Sequence, residues 1–200
     1  MSTKTTAGVN PEIGTKTTAS KMHLSTREMV FIGLAAAIFC VLAPMSIPIG
    51  PVPISLTNLV LYFALYILGT RSTLISYIVY LLLGLVGLPV FSGFTGGPGK
   101  LAGPTGGYLI GFLLTILIAG VFIKRFEDNR WMQLLGMILG TAAVYLLGTM
   151  WLSAQSGMTL AAATAAGVLP FLPGDAVKIL LALFQGPKLK KRIDQIRHRS

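Results

Sequence analysis

Hydrophobic positions in this chain fall in long runs, not in the alternation of a half-buried strand or the narrow stripe of a surface helix. The runs lie near Arg27 to Ala43, Ser55 to Leu68, Thr73 to Leu88, Thr105 to Ile123, Trp131 to Leu152 and Ala161 to Gln185. A membrane-spanning helix needs about 20 predominantly apolar residues. The pattern therefore predicts an all-α polytopic membrane protein with six transmembrane helices. The second and third runs are short enough to merge into a hairpin, but Arg71, in the turn from Gly69 to Ser72, argues for two spans. The last run contains Leu169-Pro-Phe-Leu-Pro-Gly-Asp175, which interrupts a helix, and Pro173 suits a first helical turn. Because the stretch from Pro173 to Gly186 is too short to span alone, the last transmembrane element is expected to be discontinuous.

Between the runs, polar character divides by side. Arg71, the Lys124-Arg125 to Arg130 loop and both terminal segments are basic, and with six spans all lie on one face. The opposite loops, Pro44 to Ile54, Gly87 to Pro104 and Ser153 to Leu160, contain a single charge, Lys100. Basic residues in short loops stay cytoplasmic, so both termini are read as cytoplasmic in a cell membrane. Residues 1–26, rich in Thr, Ser, Gly and Lys, read as a flexible tail; 27–187 form the membrane domain and 188–200 a basic tail. The outer loops carry Pro44, Pro48, Pro51 and Pro53, then a glycine-rich stretch from Phe91 to Tyr108. They are expected to be non-helical, and the aromatic and aliphatic residues among the glycines point to a folded cap over a ligand pocket.

Composition agrees: 54% of residues are hydrophobic and 11% charged, against about 25% charged in soluble domains. The net charge of +10 is concentrated at the ends, in Lys4, Lys16, Lys21 and Arg27 and again from Lys188 to Arg199. That suits anionic membrane lipid, and without aromatic interleaving it excludes nucleic acid. The lone Cys40 cannot form an intrachain disulfide.

Candidate chemistry is sparse. From Trp131 to Pro187 the only charges are Asp175 and Lys178, which share one helical face at i and i+3. A charge at the centre of a membrane helix costs about 2.5 to 3.5 kcal/mol on insertion scales, so such residues face a cavity or a partner. The pair either belongs to a solute site or pins two helices together. Lys100 either attracts an anionic ligand group or sits in solvent. Gly97-Pro-Gly99-Lys100 is not a nucleotide loop, since Phe94 and Leu101 stand where a Walker motif needs Gly and Ser or Thr. His23 and His198 are terminal, so no metal site is expected, and neither a second membrane carboxylate nor a histidine base is available for hydrolysis. Gly33 and Ala37, with Ala35 and Ala36 between them, give the first span a small-residue face suited to close helix docking.

Four stretches resemble the BioY family, the biotin-specific S-components of energy-coupling factor transporters: Ile49-Gly-Pro-Val-Pro-Ile-Ser-Leu56, Leu83-Gly-Leu-Val-Gly-Leu-Pro-Val-Phe91, Gly103-Pro-Thr-Gly-Gly-Tyr-Leu-Ile-Gly-Phe112 and Phe171-Leu-Pro-Gly-Asp-Ala-Val-Lys178. The resemblance implies a six-helix subunit, not an enzyme and without a cofactor, that captures biotin beneath its outer loops. By the same resemblance Asp175 accepts from the ureido group, and Lys178 either orients Asp175 or binds an anionic end. Phe91, Tyr108 and the segment Gly103, Thr105, Gly106 and Gly107 close the pocket, and Lys100 is the candidate partner of the carboxylate. The face of Gly33 and Ala37 becomes the docking site of a coupling membrane subunit, with separate ATPase subunits supplying energy. One departure stands out: the family often reads Thr-Leu-Gln-Thr after the proline where this chain has Ser55-Leu56-Thr57-Asn58, so the glutamine contact does not transfer directly to Asn58. The rival readings are a stand-alone carrier for a small carboxylate solute and an intramembrane enzyme.

Overall fold

The computed structural model describes residues 25–48 and 50–199. Residues 1–24 of the expected tail, with His23, lie outside the described residues, as do Ile49 and the side chain of His198. The described chain runs α1 (Thr26–Leu42), β1 (Ser46–Ile47), β2 (Ile54–Ser55), α2 (Thr57–Leu85), α3 (Pro98–Ala102), α4 (Gly106–Arg125), α5 (Arg130–Ser156), α6 (Leu160–Gly167) and α7 (Leu172–Arg199). Side-chain caps begin several helices: Ser25 accepts from the Glu28 N–H, Asn129 from those of Trp131 and Met132, and Thr159 from that of Ala162.

Helix α2 is not one straight rod. Gly69 interrupts it at φ 77°, ψ 175°, a conformation that favours glycine. Contacts fix the direction of each half. In the first half Tyr62 bonds the Met137 carbonyl and Tyr66 bonds Gln133, so this half runs antiparallel to α5. In the second half Ser72 donates to Glu28 and Ser76 to the Ile32 carbonyl, a register parallel to α1. Tyr77 donates to the Leu109 carbonyl, while Thr70 faces Gly120, so the second half is antiparallel to α4. Helices α4 and α5 are themselves antiparallel, as Thr115 bonds the Gly140 carbonyl and Gly107 meets Trp151. The chain thus reverses at Gly69, where the sequence places the turn beside Arg71.

Tight packing between α4 and α5 follows from their small residues. A Cβ on Gly111 would meet the Val144 backbone, one on Gly140 would meet Thr115, and one on Gly148 would enter the Tyr108 ring. Large apolar side chains on the outside complete the picture. Val30, Val41, Val121 and Leu146 are 64%, 64%, 59% and 66% exposed, an arrangement suited to lipid and not to water. Three described helices are long and apolar enough to cross a membrane, α2, α4 and α5, or four if α6 and α7, bent by 50°, form one broken span. The fold is that of a multi-pass membrane protein.

One expectation needs correction. The outer loops, expected to be wholly non-helical, contain the short helix α3, started by Pro98 in its first turn, and β1 and β2 form an antiparallel ribbon pairing Ser46 with Ser55 and Ile47 with Ile54. The basic stretch 188–199 is helical and continues α7 through Pro187. Pro187 has no N–H to offer the Leu183 carbonyl, and Arg130 supplies that bond at 3.0 Å. Beyond it, Lys190 pairs with Glu127 at 3.1 Å. The small face of α1 is divided: Ala35 and Ala36 pack in the core, and Gly33 and Ala37 point outward.

Candidate solute-binding site

The break between α6 and α7 places the two charges. After Val168 the chain turns at Leu169-Pro-Phe171, and α7 restarts at Leu172 with Pro173 in a position that needs no N–H. Asp175 falls in the first turn, at the positive end of the helix dipole. Asp175 and Lys178 are each 8% exposed. Lys178 Nζ donates to Asp175 Oδ1 at 2.9 Å and to the Ser55 carbonyl at 2.8 Å. The Tyr145 hydroxyl donates to Asp175 Oδ2 at 2.6 Å. Both charges are therefore held from three directions: their own helix, the β2 end of the ribbon and α5.

These residues face a cavity of ≈ 60 Å³ whose lining includes Val52, Ser55, Asn58, Tyr80, Ser92, Thr105, Tyr108, Phe112, Val144 and Phe171. It lies between the ribbon, both halves of α2, the start of α4, the middle of α5 and the break before α7. The lining combines apolar and aromatic surface with a few convergent polar groups, as small-molecule sites do. Asn58 Oδ1, the Tyr80 hydroxyl and the Thr105 hydroxyl are buried there without a hydrogen-bond partner. Native structures keep few such groups, because an unsatisfied buried polar atom costs about 1–3 kcal/mol. Three around one cavity mark a place for a ligand's polar atoms. No trio of metal-ligating side chains converges among the described residues.

The expected site residues separate into two groups. Asp175, Lys178, Asn58, Thr105 and Tyr108 line the cavity, and Tyr108 is held by its hydroxyl on the Gly167 carbonyl at 3.1 Å. Phe91, Lys100, Gly103, Gly106 and Gly107 stand behind it. Phe91 is fully buried edge-on against Tyr80, at 5.5 Å between ring centroids and 84°. Gly103 accepts from the Trp151 indole at 2.9 Å, Gly106 abuts the Leu101 backbone, and Gly107 lies under Trp151. These glycines let α3, α4 and α5 approach one another. Lys100, on α3, is partly buried, and desolvation lowers its ammonium below the ordinary lysine value.

Sequence reasoning missed Tyr80, Tyr145 and Thr141. A lone tyrosine in an apolar helix carries no signal of its own. The spacing of Thr141 and Tyr145, one turn apart in a helix with no charge after Arg130, was the available clue.

A buried ion pair and orphaned polar side chains around a cavity, inside a bundle that faces lipid, define a membrane protein that holds a small solute. The chain belongs to the BioY family, whose model matches residues 15–195. It is 35% identical over 165 residues to the biotin transporter BioY of Thermotoga maritima, covering 82% of this chain and 96% of the relative. It is 33% identical over 174 residues to the biotin transporter BioY of Rhizobium etli, covering 82% of this chain and 92% of that one. Both relatives are named as transporters, not enzymes. Among solved structures it is similar to the S-component for biotin from an ECF-type ABC transporter, with a TM-score of 0.77 at 32% identity over 84% of this chain and 95% of that one.

Proposed function

We propose that the chain is the biotin-binding subunit of an energy-coupling factor transporter in a prokaryotic cell membrane, and mediates biotin uptake without catalysing a reaction. The observation that carries this reading is the convergence of the Asp175–Lys178 pair, Tyr145 and three unpartnered polar atoms on one cavity in a chain of this family. Asp175 accepts from a ureido N–H while Lys178 and Tyr145 fix its carboxylate, and the apolar lining takes the ring system and aliphatic chain.

Charge balance supports placing the ligand's carboxylate elsewhere. The Asp175–Lys178 pair neutralises itself, and the other lining residues are uncharged, so a second carboxylate inside would be a buried charge without a counter-ion. Lys100, partly buried on α3 behind the lining, is assigned to it.

In this proposal the membrane is crossed six times, by α1, the two halves of α2, α4, α5 and the broken pair α6 and α7. The alternating helix directions support the count, and the basic loops support cytoplasmic termini. Gly33 and Ala37 face outward from α1, and there receive the coupling membrane subunit, through which separate ATPase subunits act.

The cavity's ≈ 60 Å³ matches a few water molecules at about 10–15 Å³ each. The test is equilibrium binding of labelled biotin to the purified chain, paired with uptake in vesicles. Saturable binding by the chain alone, with uptake strongly raised by coupling and ATPase subunits, supports the reading; absence of binding removes it.

A further inference from the structure

We propose that Tyr80 is a ligand-contacting, specificity-determining residue whose hydroxyl, together with that of Thr105, hydrogen-bonds the ureido oxygen of the bound solute. This deepens the biotin reading above and rests on it.

Tyr80 lies in the second half of α2, with its side chain fully buried. Its ring is fixed on three sides, by Phe39 at 5.7 Å, Tyr77 at 5.4 Å and Phe91 at 5.5 Å between centroids. Phe91 in turn presses on Gly84, where a Cβ would enter its ring. The aromatic cluster thus holds Tyr80 in place, yet its hydroxyl has no partner. The other core tyrosines behave differently. Tyr62, Tyr66, Tyr77 and Tyr108 each donate to a carbonyl or side-chain oxygen. Tyr80 borders the cavity, which accounts for the difference.

Thr105 repeats the pattern on a separate element. It sits immediately before α4, where a threonine commonly caps the helix with its hydroxyl, but it makes no side-chain cap bond. Its hydroxyl is also buried, unpartnered and on the cavity lining. Two unpartnered hydroxyls, one on α2 and one just before α4, therefore belong to residues that line the cavity together with the charged pair of α7. Such O–H groups can donate to an acceptor without adding charge. Inside the self-neutralised cavity that acceptor is an uncharged oxygen, the ureido carbonyl, and not the carboxylate.

The test compares the full chain with Tyr80→Phe and Thr105→Val, two nearly isosteric changes, by equilibrium binding of biotin, biotin methyl ester and 2-thiobiotin, with thermal unfolding of each ligand-free protein. Tyr80→Phe is expected to weaken biotin about tenfold, the loss of one hydrogen bond to a buried acceptor, and to weaken the methyl ester equally. It is expected to leave 2-thiobiotin, whose sulfur is a poor acceptor, nearly unchanged. Ligand-free Tyr80→Phe should melt no lower than the parent, since the change removes an unsatisfied hydroxyl. Thr105→Val should follow the same pattern with a smaller loss. Undiminished biotin affinity in Tyr80→Phe, equal losses for all three ligands, or a loss accompanied by a lower melting temperature would each overturn the assignment. If the parent chain binds biotin and Tyr80→Phe binds it equally, only this inference fails; if the parent does not bind, the functional reading fails and takes this inference with it.

Discussion

Replacing Asp175 separates what the buried pair does for the ligand from what it does for the fold. Asp175 is 8% exposed and bonded to Lys178 at 2.9 Å and Tyr145 at 2.6 Å. Asp175→Asn keeps the shape but leaves the Lys178 ammonium buried with neutral acceptors, chiefly the Ser55 carbonyl. Removing one partner of a buried pair costs about 3–5 kcal/mol; with Ser55 and the new amide oxygen still accepting, the lower end, about 3 kcal/mol, applies. For the ligand, losing a charged acceptor costs about 1.5–3 kcal/mol, or tenfold to more than a hundredfold in Kd. Adding Lys178→Met discharges the site, so the double variant Asp175→Asn/Lys178→Met should regain much of the lost stability while its affinity stays low. Thermal unfolding reads the first quantity and equilibrium biotin binding the second. Recovery of affinity together with stability in the double variant would show that the pair only holds helices together, and would refute the ligand role.

Further outcomes follow from neighbouring contacts. Tyr145→Phe removes a bond to Asp175 Oδ2 and should weaken biotin by about threefold to tenfold, roughly 1 kcal/mol, as read by the same binding assay. Gly33→Leu meets nothing inside the chain, since a Cβ there has no neighbour within 4 Å; binding should be unchanged, and loss of ATP-driven uptake in vesicles would mark that face as a docking surface. Arg130→Met deprives the Leu183 carbonyl of its donor and should lower stability by about 1–3 kcal/mol, and Pro187→Ala, by restoring an N–H, should recover part of that in a melting experiment. Backbone hydrogen exchange at the two ends of 91–105 should slow when biotin binds, because Ser92 and Thr105 line the cavity.

Much of the fold was legible in hydrophobic runs, because lipid leaves the backbone little choice but helix. Gly69 beside Arg71 marked the reversal inside α2, and the two prolines at 170 and 173 marked the break before Asp175. The ribbon of β1 and β2 was hidden, since the neighbouring prolines argue against strands. Its role came only from the Ser55 carbonyl on Lys178. Pro187 also misled: a proline followed by a run of charges reads as a helix end, and only a distant arginine bonded to Leu183 keeps α7 continuous. At the site, Asp175 and Lys178 stood out because charge is rare in an apolar run. Tyr80 and Tyr145 did not, because a tyrosine's role depends on whether its hydroxyl finds a partner. Gly106 and Gly107 read as pocket backbone, whereas their lack of a side chain serves helix packing against Leu101 and Trp151.

The most direct test of the central claim is equilibrium binding of labelled biotin to the purified full chain, with no other subunit present. Saturable binding of one ligand per chain, abolished or strongly weakened by Asp175→Asn, is the predicted result. No saturable binding at micromolar biotin by well-folded protein would contradict the account.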